Sequence, residues 1–351
     1  MIDFKQVKTA NWSYLFLNIL MMIMLAFSVS IHRAMGATFL LMFIISLFSF
    51  RKNINQKLHA FEKTWLILLL CFFISTIVSL YFSRLDTFRW NSLDVPFRFI
   101  LVIPVYLLLK RVMLSEKMFW VGVLIGSISA GAIGIYQHSI LNIYRTFGET
   151  NNPIVYGNVS ICLAMISLVG FLSFNKGSIL RKSIFMIGVI SGLVASLLSG
   201  ARGGWIALPI VFTYWLWVNR GTLGKYKQIS IILVFTLATV FLFQFEKIGI
   251  SDRFNQAVND VKELVFENNK QTSIGVRIEM IRATWLIFKE NPWLGSGPDT
   301  FIQQTNKLEL EKKVVFLNDQ LAHPHNEFLN MMYSRGIVGL VIVLLIFGSP
   351  L

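Results

Sequence analysis

The sequence predicts an all-α polytopic membrane protein, and its composition, apolar runs and loop charges all indicate this fold class. Of the 351 residues, 55% are apolar and only 14% are charged, whereas soluble globular domains average about a quarter charged residues. The mean hydropathy is +0.64. The net charge is +14, but most of the excess lies in short loops between apolar runs. This composition argues against a disordered chain, an ordinary cytosolic enzyme and a nucleic-acid-binding protein.

The apolar runs predict about ten transmembrane helices in this chain. A membrane helix needs about 20 mainly apolar residues, with a range of roughly 17 to 25. The fourth run is short and is interrupted by Arg98 and Pro104. The chain stops directly after a span, without a basic tail, so we expect that one or more helices follow in the complete protein. The predicted spans are 14–31, 35–50, 64–82, 97–109, 119–137, 154–174, 184–199, 204–218, 229–245 and 327–347.

Lysine and arginine are concentrated in alternate loops. If the N-terminus is cytoplasmic, the cytoplasmic loops hold 15 basic residues against three acidic ones. Because basic loops stay in the cytoplasm, this alternation predicts a multi-pass protein of the cytoplasmic membrane with its N-terminus inside. The long segment 246–326 then lies outside that membrane.

This long segment is predicted to be helical. Apolar residues recur at helical spacing over 254–265 among Asp, Lys and Glu, which is typical of an amphipathic helix. A second helix is expected around 277–289 and a third over 299–312, separated by a Pro- and Gly-rich turn. The predicted organisation is a nine-span bundle over 1–245, a helical loop over 246–326 and a last transmembrane helix within 327–351.

Several arginines are candidate anion-binding residues, because charge near a span is costly. Arg202 lies in a glycine-flanked turn between two predicted spans, and its guanidinium suits bidentate binding of phosphate oxygens. The alternative is an arginine that extends from the bundle to the membrane surface. Arg277 and Arg282 lie on the second loop helix, where a solvated face or pairing with Glu279 is the alternative. Arg145 lies in a polar turn, and an ordinary surface turn explains it equally well.

The densest polar cluster is His323-Pro324-His325-Asn326-Glu327. A metal site could use His323, His325 and Glu327 with Asp319, but no helical His-Glu-x-x-His arrangement supports it, so no metal is predicted. A neutral histidine as general base is better supported. The third interpretation is a helix start with Asn326 as N-cap, which leaves both histidines unexplained.

A histidine base together with outward arginines predicts the activation of a hydroxyl and the stabilisation of a diphosphate leaving group. The sequence has no P-loop and no dinucleotide fingerprint, so no nucleotide or other cofactor is predicted. Outside the membrane, the activated sugar donors are linked to lipids. The residues therefore indicate sugar transfer from a polyprenyl diphosphate.

Four motifs together resemble the O-antigen ligase family. His325-Asn326, nine residues and then Gly336-Ile337-Val338-Gly339 resemble its His-Asn-x9-Gly-x-x-Gly signature. Ser199–Trp205 is similar to the family's arginine-bearing turn, and Arg145–Asn158 resembles its Gly-Asn-Pro turn. The stretch 277–297 looks like its long periplasmic loop, which ends in Pro-x-x-Gly-x-Gly. The family has more spans than are predicted here, in agreement with the expectation of further helices.

The resemblance implies an enzyme of the bacterial inner membrane with a periplasmic active site. It implies transfer of a polysaccharide from undecaprenyl diphosphate to a lipid A–core hydroxyl, with inversion and without metal or cofactor. His325 takes the role of the base, and Arg202 and Arg277 stabilise the diphosphate. The expected partners are thus the lipid-linked glycan donor, the lipid A–core acceptor and membrane lipid. Further candidate substrate-binding residues are Arg145, Arg282, His323 and Asn326.

Two kinds of alternative remain open. O-antigen polymerases and protein O-oligosaccharyltransferases share the donor and differ in the acceptor. A transporter of lipid-linked oligosaccharides belongs to another class, and it predicts polar residues in mid-span and paired broken helices. Here the polar groups collect at the outer ends of the predicted spans, which favours an enzyme.

Overall fold

The structure is a computed structural model, and it describes residues 12–49, 58–83, 90–112, 114–173, 178–201, 203–206, 213, 224, 250–267, 272–315 and 323–349. These residues form helices and connecting turns, with no β-strand among them. The helices are α1 (Trp12–Ala26), α2 (Ala34–Ser49), α3 (Ala60–Phe82), α4 (Asp94–Arg111), α5 (Glu116–Ser139), α6 (Pro153–Ser173), α7 (Ile179–Ser199), α8 (Ile250–Phe266), α9 (Ser273–Glu290), α10 (Phe301–Leu310) and α11 (Glu327–Gly348).

Six helices in the described part of the chain are long and apolar enough to cross a membrane. They are α3 to α7 and α11, and they coincide with six of the predicted spans. The short fourth run is a complete helix in spite of Pro104, which α4 accommodates in its interior. Of the predicted span 204–218, only Gly204–Ile206, in a 3-10 turn, and Thr213 are described. The predicted span 229–245 lies outside the described residues.

The first two predicted spans are shorter helices in the structure. Helices α1 and α2 have 15 and 16 residues, fewer than the roughly 17 to 25 that a span needs. The prediction extended the first span to residue 31, but α1 ends at Ala26. The hydroxyls of Ser28 and Ser30 donate to the carbonyls of Leu25 and Ala26, and such local bonds compete with continuation of the helix.

The chain divides into two compact units, of which the first comprises Met1–Lys52 and Leu107–Phe241. Within it α5 packs against α1 and α7, and α6 packs against α7. Small residues allow these backbones to approach closely. A Cβ at Gly126 would lie 2.3 Å from the Leu25 carbonyl oxygen, and one at Gly192 would lie 2.7 Å from the Ser160 carbonyl oxygen.

The second unit comprises Asn53–Tyr106 and Leu242–Leu351. Within it α3 and α9 each pack against α11, and α8 packs against α9. Buried side chains of α9, α10 and α11 form a shared core that contains Ile287, Phe301 and Tyr333. The three helices predicted in the long segment are confirmed as α8, α9 and α10, and α10 is shorter than predicted at both ends.

Segments predicted at the same side of the membrane, either loops or ends of spans, meet inside each unit. In the first unit the Glu149 N–H donates to the Val29 carbonyl over 3.0 Å. In the second unit the Ser92 hydroxyl donates to the Asp299 carboxylate. These contacts agree with the predicted alternation of the spans, and the orientation of the bundle in the membrane stays a prediction.

Candidate active site

Helix α11 is kinked at Gly336, and the turn after α9 packs into the kink. A kink frees backbone groups from their intrahelical partners, and buried backbone groups need replacements. The turn and the kinked helix supply them to each other through four hydrogen bonds. These are Ser296 N–H to the Tyr333 carbonyl (2.7 Å), Gly297 N–H to the Ser334 carbonyl (3.1 Å), Ile337 N–H to the Pro292 carbonyl (2.8 Å) and Val338 N–H to the Trp293 carbonyl (3.4 Å).

Glycine is required at two positions of this arrangement, which we call the Gly336 corner (residues 291–297 with 333–338). Gly336 has φ +65° and ψ −158°, a region open almost only to glycine. A Cβ there would lie 2.5 Å from the Trp293 carbonyl oxygen, and one at Gly295 would lie 2.4 Å from the Arg335 nitrogen. The Pro-x-x-Gly-x-Gly and Gly-x-x-Gly motifs are therefore two halves of one packed structure.

Asn326 caps the start of α11. Its side-chain oxygen accepts the N–H groups of Phe328 (2.9 Å) and Leu329 (3.2 Å), which satisfies donors that the helix itself leaves free. The interpretation of Asn326 as an N-cap is confirmed. The cap occupies this oxygen and does not test a direct role of Asn326 in substrate binding, which stays a prediction.

His325 lies immediately before that cap in an uncommon backbone conformation, with φ +51°. Its N–H donates to Nδ1 of His323 over 3.1 Å, and the two ring centroids are 4.3 Å apart. Neutral His323 must then carry its proton on Nε2. His323 thus helps to hold the His325 backbone, a role that the sequence did not indicate.

The environment of His325 favours its neutral form. Desolvation lowers the pKa of His325 first, and electrostatic interactions with His323 and then with Arg277 lower it further. A neutral imidazole can accept a proton at neutral pH. The ring nitrogens of His325 make no hydrogen bond with any residue that the structure describes, so a lone pair is available to a substrate.

The two arginines of α9 lie in different environments. Arg277 is exposed, acts electrostatically on His325 and makes no hydrogen bond or ion pair with another described residue. Arg282 has Nη1 3.7 Å from Oε1 of Glu279, whose other oxygen accepts the Val315 N–H. Pairing with Glu279, predicted as the alternative for both arginines, therefore holds for Arg282 and not for Arg277.

Arg145 contacts the turn that follows α7 in the first unit. Its Nε donates to the Ser199 carbonyl over 3.2 Å. Gly200, with φ +66°, lies against the Arg145 side chain, because a Cβ there would lie 3.4 Å from Nε. Arg202 follows Ala201 in the sequence but lies outside the described residues, so its role stays a prediction. The structure thus brings the Arg145 turn to the residues that precede Arg202.

Arg335 is a buried charge that the sequence interpretation missed. It is 5% exposed inside α11, its Nε donates to the Thr76 hydroxyl over 2.8 Å, and its guanidinium lies 4.8 Å from the Phe72 ring centroid. Gly339 makes room for it, since a Cβ there would lie 2.2 Å from the Arg335 Cβ. The signal in the sequence was a charged residue inside an apolar span.

No group of three or more His, Cys, Asp or Glu side chains that could hold a metal ion occurs among the residues described. Asp319, the fourth ligand in the metal-site alternative, lies outside them. The expectation of a site without metal or cofactor stays a prediction.

Known proteins resemble this chain over the region that carries the candidate site. A family model described as O-antigen ligase matches residues 187–344. An uncharacterized protein of Haemophilus influenzae is 29% identical over 83% of this chain and 72% of that protein. An O-antigen ligase of Salmonella typhimurium is 24% identical over 52% of this chain and 42% of that protein.

The matched residues run from α7 to α11 and include Arg277, His325 and the Gly336 corner. The resemblance that the motifs predicted is confirmed. Over residues 187–344, this chain is similar to the O-antigen ligase family.

Proposed function

We propose that this protein is an O-antigen ligase of the bacterial inner membrane. It transfers a polysaccharide from undecaprenyl diphosphate to a hydroxyl of the lipid A–core at the periplasmic face. One observation carries the proposal: His325, with a lowered pKa, lies next to the cap of α11, and Arg277, which makes no hydrogen bond or ion pair with another described residue, acts on it electrostatically. A base and a cation in one place are what this transfer needs, and both lie in the region that matches the O-antigen ligase family model.

In the proposed reaction, a ring nitrogen of neutral His325 takes the proton of the acceptor hydroxyl. The hydroxyl oxygen attacks the anomeric carbon of the donor sugar, and a new glycosidic bond forms. The bond from that carbon to the diphosphate oxygen breaks, and its electron pair leaves with undecaprenyl diphosphate. Attack from the opposite face inverts the anomeric configuration. The step balances without metal, nucleotide or other cofactor.

Arginine side chains neutralise the charge that develops on the leaving diphosphate. We assign this role to Arg277 and, as the family resemblance implies, to Arg202, because the planar guanidinium fork matches phosphate oxygens. Arg145 is assigned to support of the turn that carries Arg202, on the strength of its bond to Ser199. Arg282 is the weakest candidate, because it is paired with Glu279.

A transfer assay with purified full chain tests the proposal. The protein in nanodiscs receives an undecaprenyl-diphosphate-linked polysaccharide and lipid A–core in buffer with EDTA and without nucleotide. We expect ligated lipopolysaccharide from the wild type and from His138→Ala, a control at an exposed histidine, but not from His325→Ala. Transfer by His325→Ala would remove the base assignment, and loss of transfer in EDTA that a divalent metal restores would favour the metal-site alternative.

The acceptor distinguishes the related activities. Parallel reactions offer a second lipid-linked repeat unit or a protein acceptor in place of lipid A–core. Product with the first alone would identify a polymerase, and product with the second alone would identify a protein O-oligosaccharyltransferase. Movement of the lipid-linked glycan across the bilayer without any transfer would identify a transporter, and the ligase proposal would then be wrong.

A further inference from the structure

A polar cavity of about 260 Å³ lies beside the Gly336 corner, in the second unit. The end of α3, the end of α9 and one face of α10 line it. Its wall carries the side-chain amides of Asn291, Gln303 and Gln304 and the hydroxyls of Ser83 and Ser296. The volume is at the small end of ligand pockets, which measure about 300–1,000 Å³. It suits one compact polar unit rather than an extended chain.

The charges in the cavity cancel. Nζ of Lys307 lies 3.8 Å from Oε2 of Glu290, and both side chains are about half exposed. A diphosphate prefers unpaired arginines or lysines, and here the one lining cation is already matched by a carboxylate. The cavity therefore differs from the surroundings of Arg277, and its chemistry favours an uncharged ligand.

The neutral groups of the cavity both donate and accept hydrogen bonds. A glutamine amide offers two donors and an acceptor oxygen, and neighbouring hydroxyls of a sugar ring need the same combination. The side-chain amides of Gln303 and Gln304 make no hydrogen bond with another described residue. Phe82, 61% exposed, adds an aromatic surface for the apolar face of a ring. These groups suit a polyhydroxylated ring.

The cavity is remote from the candidate base but belongs to the same framework. Ser296, which lines it, donates its N–H to the Tyr333 carbonyl, and Tyr333 lies two helical turns along α11 from Asn326. At 1.5 Å per residue, this corresponds to about 10 Å along the helix from the cap beside His325. A ring bound here would be a part of the glycan that does not react, and a part held equally in the ground state and the transition state contributes binding.

We propose that this cavity is a subsite for one sugar unit of a glycan substrate, at a distance from the reacting hydroxyl. The assignment deepens the proposed function and rests on it for the identity of the glycan. The acceptor core and the donor polysaccharide both supply such a ring, and the experiment distinguishes them.

Direct binding tests the subsite without the reaction. The probes are free core oligosaccharide and free polysaccharide repeat unit, both without lipid and diphosphate, titrated calorimetrically into the full chain in detergent. The variant is Gln303→Ala/Gln304→Ala, in which alanine maintains the helix. Asn306→Ala is the matched control, because it removes an exposed amide of the same helix that does not line the cavity.

We expect one of the two probes to bind the wild type and Asn306→Ala equally, and to bind the double variant about tenfold more weakly, because two hydrogen-bonding amides are lost. The probe that weakens identifies the source of the sugar. In the transfer assay, the same variant should raise KM for that substrate and leave kcat unchanged. Equal binding to the double variant, or no binding of either probe to the wild type, would overturn the subsite. If binding behaves as expected but the protein transfers no glycan, the subsite proposal stands and the ligase proposal is wrong.

Discussion

The Arg145 turn of the first unit and the Gly336 corner of the second unit use their polar groups in opposite ways. In the first unit, Gln137 is 5% exposed and pairs its whole amide with the turn. Its nitrogen donates to the Gly148 carbonyl over 2.9 Å, and its oxygen accepts the N–H groups of Phe147 and Gly148. There, the polar side chain forms its hydrogen bonds with the backbone of the turn and holds the turn in place.

At the Gly336 corner of the second unit, backbone groups fix the backbone. The four bonds across the Gly336 corner join main chain to main chain, and Asn326 caps α11. The side chains of His325 and Arg277 make no hydrogen bond with the described residues and are free to meet a substrate. A rigid frame with unpaired reactive groups is what catalysis needs. The comparison therefore separates residues that stabilise the fold from residues that we propose act on substrate.

The largest expected effect comes from His325→Asn. Asparagine tolerates a positive φ, so the backbone at this position is retained while the base is lost. General-base catalysis contributes about 10²–10⁴-fold, and we expect kcat to fall by about that factor. The thermal unfolding temperature in detergent should stay at the wild-type value. Retention of kcat would show that His325 only shapes the turn. A large loss of stability would show that His325, like Gln137, stabilises the fold.

The second effect is on stability alone. Gln137→Leu leaves one buried N–H group, one partly buried N–H group and one carbonyl of the turn without the Gln137 amide, at about 2–4 kcal/mol in total. We expect a lower unfolding temperature, and a normal kcat for the molecules that remain folded. Tyr136→Phe, at the exposed neighbouring position, is the control and should unfold like the wild type. If the two variants unfold alike, Gln137 does not hold the turn.

A third substitution tests the Gly336 corner itself. Gly336→Ala places a Cβ 2.5 Å from the Trp293 carbonyl oxygen at a φ of +65°, which costs about 1–3 kcal/mol. We expect a loss of stability together with a loss of kcat, since the corner positions the start of α11. Gly348→Ala is the control, because a Cβ at that end of α11 would meet nothing within 4 Å. Full activity of a destabilised Gly336→Ala would separate the corner from the chemistry.

Patterns within single segments predicted much of the fold. The apolar runs located α3 to α7 and α11, and the amphipathic spacing located α8. The end of α1 was misplaced because the apolar run continues beyond Ala26, where the helix ends, so no change in polarity marks that end.

The site was predicted in part. His325 and Arg277 were identified from residue type and motif, and the structure brings them within electrostatic range. The Gly336 corner could not be predicted, because it joins backbone groups about 40 residues apart, and backbone hydrogen bonds leave no signature in residue type. Arg335 carried a signal, a charge inside an apolar span. Its neutral partners Thr76 and Phe72 belong to a helix far away in sequence and could not be inferred.

The smallest expected effect tests the coupling between Arg277 and His325. Arg277 acts on the pKa of His325 after desolvation and after His323. The base is active when neutral, so kcat/KM falls as the pH drops through its pKa in the free enzyme. Arg277→Gln removes a positive charge that disfavours the imidazolium, so the pKa of His325 rises and the acid limb moves to higher pH. Loss of diphosphate stabilisation lowers the height of the pH profile but does not move its midpoint.

Arg282→Gln is the matched control, since the Arg282 guanidinium is paired with Glu279, and the acid limb of this variant should stay at the wild-type pH. An unmoved midpoint in Arg277→Gln would mean that Arg277 does not act on the base.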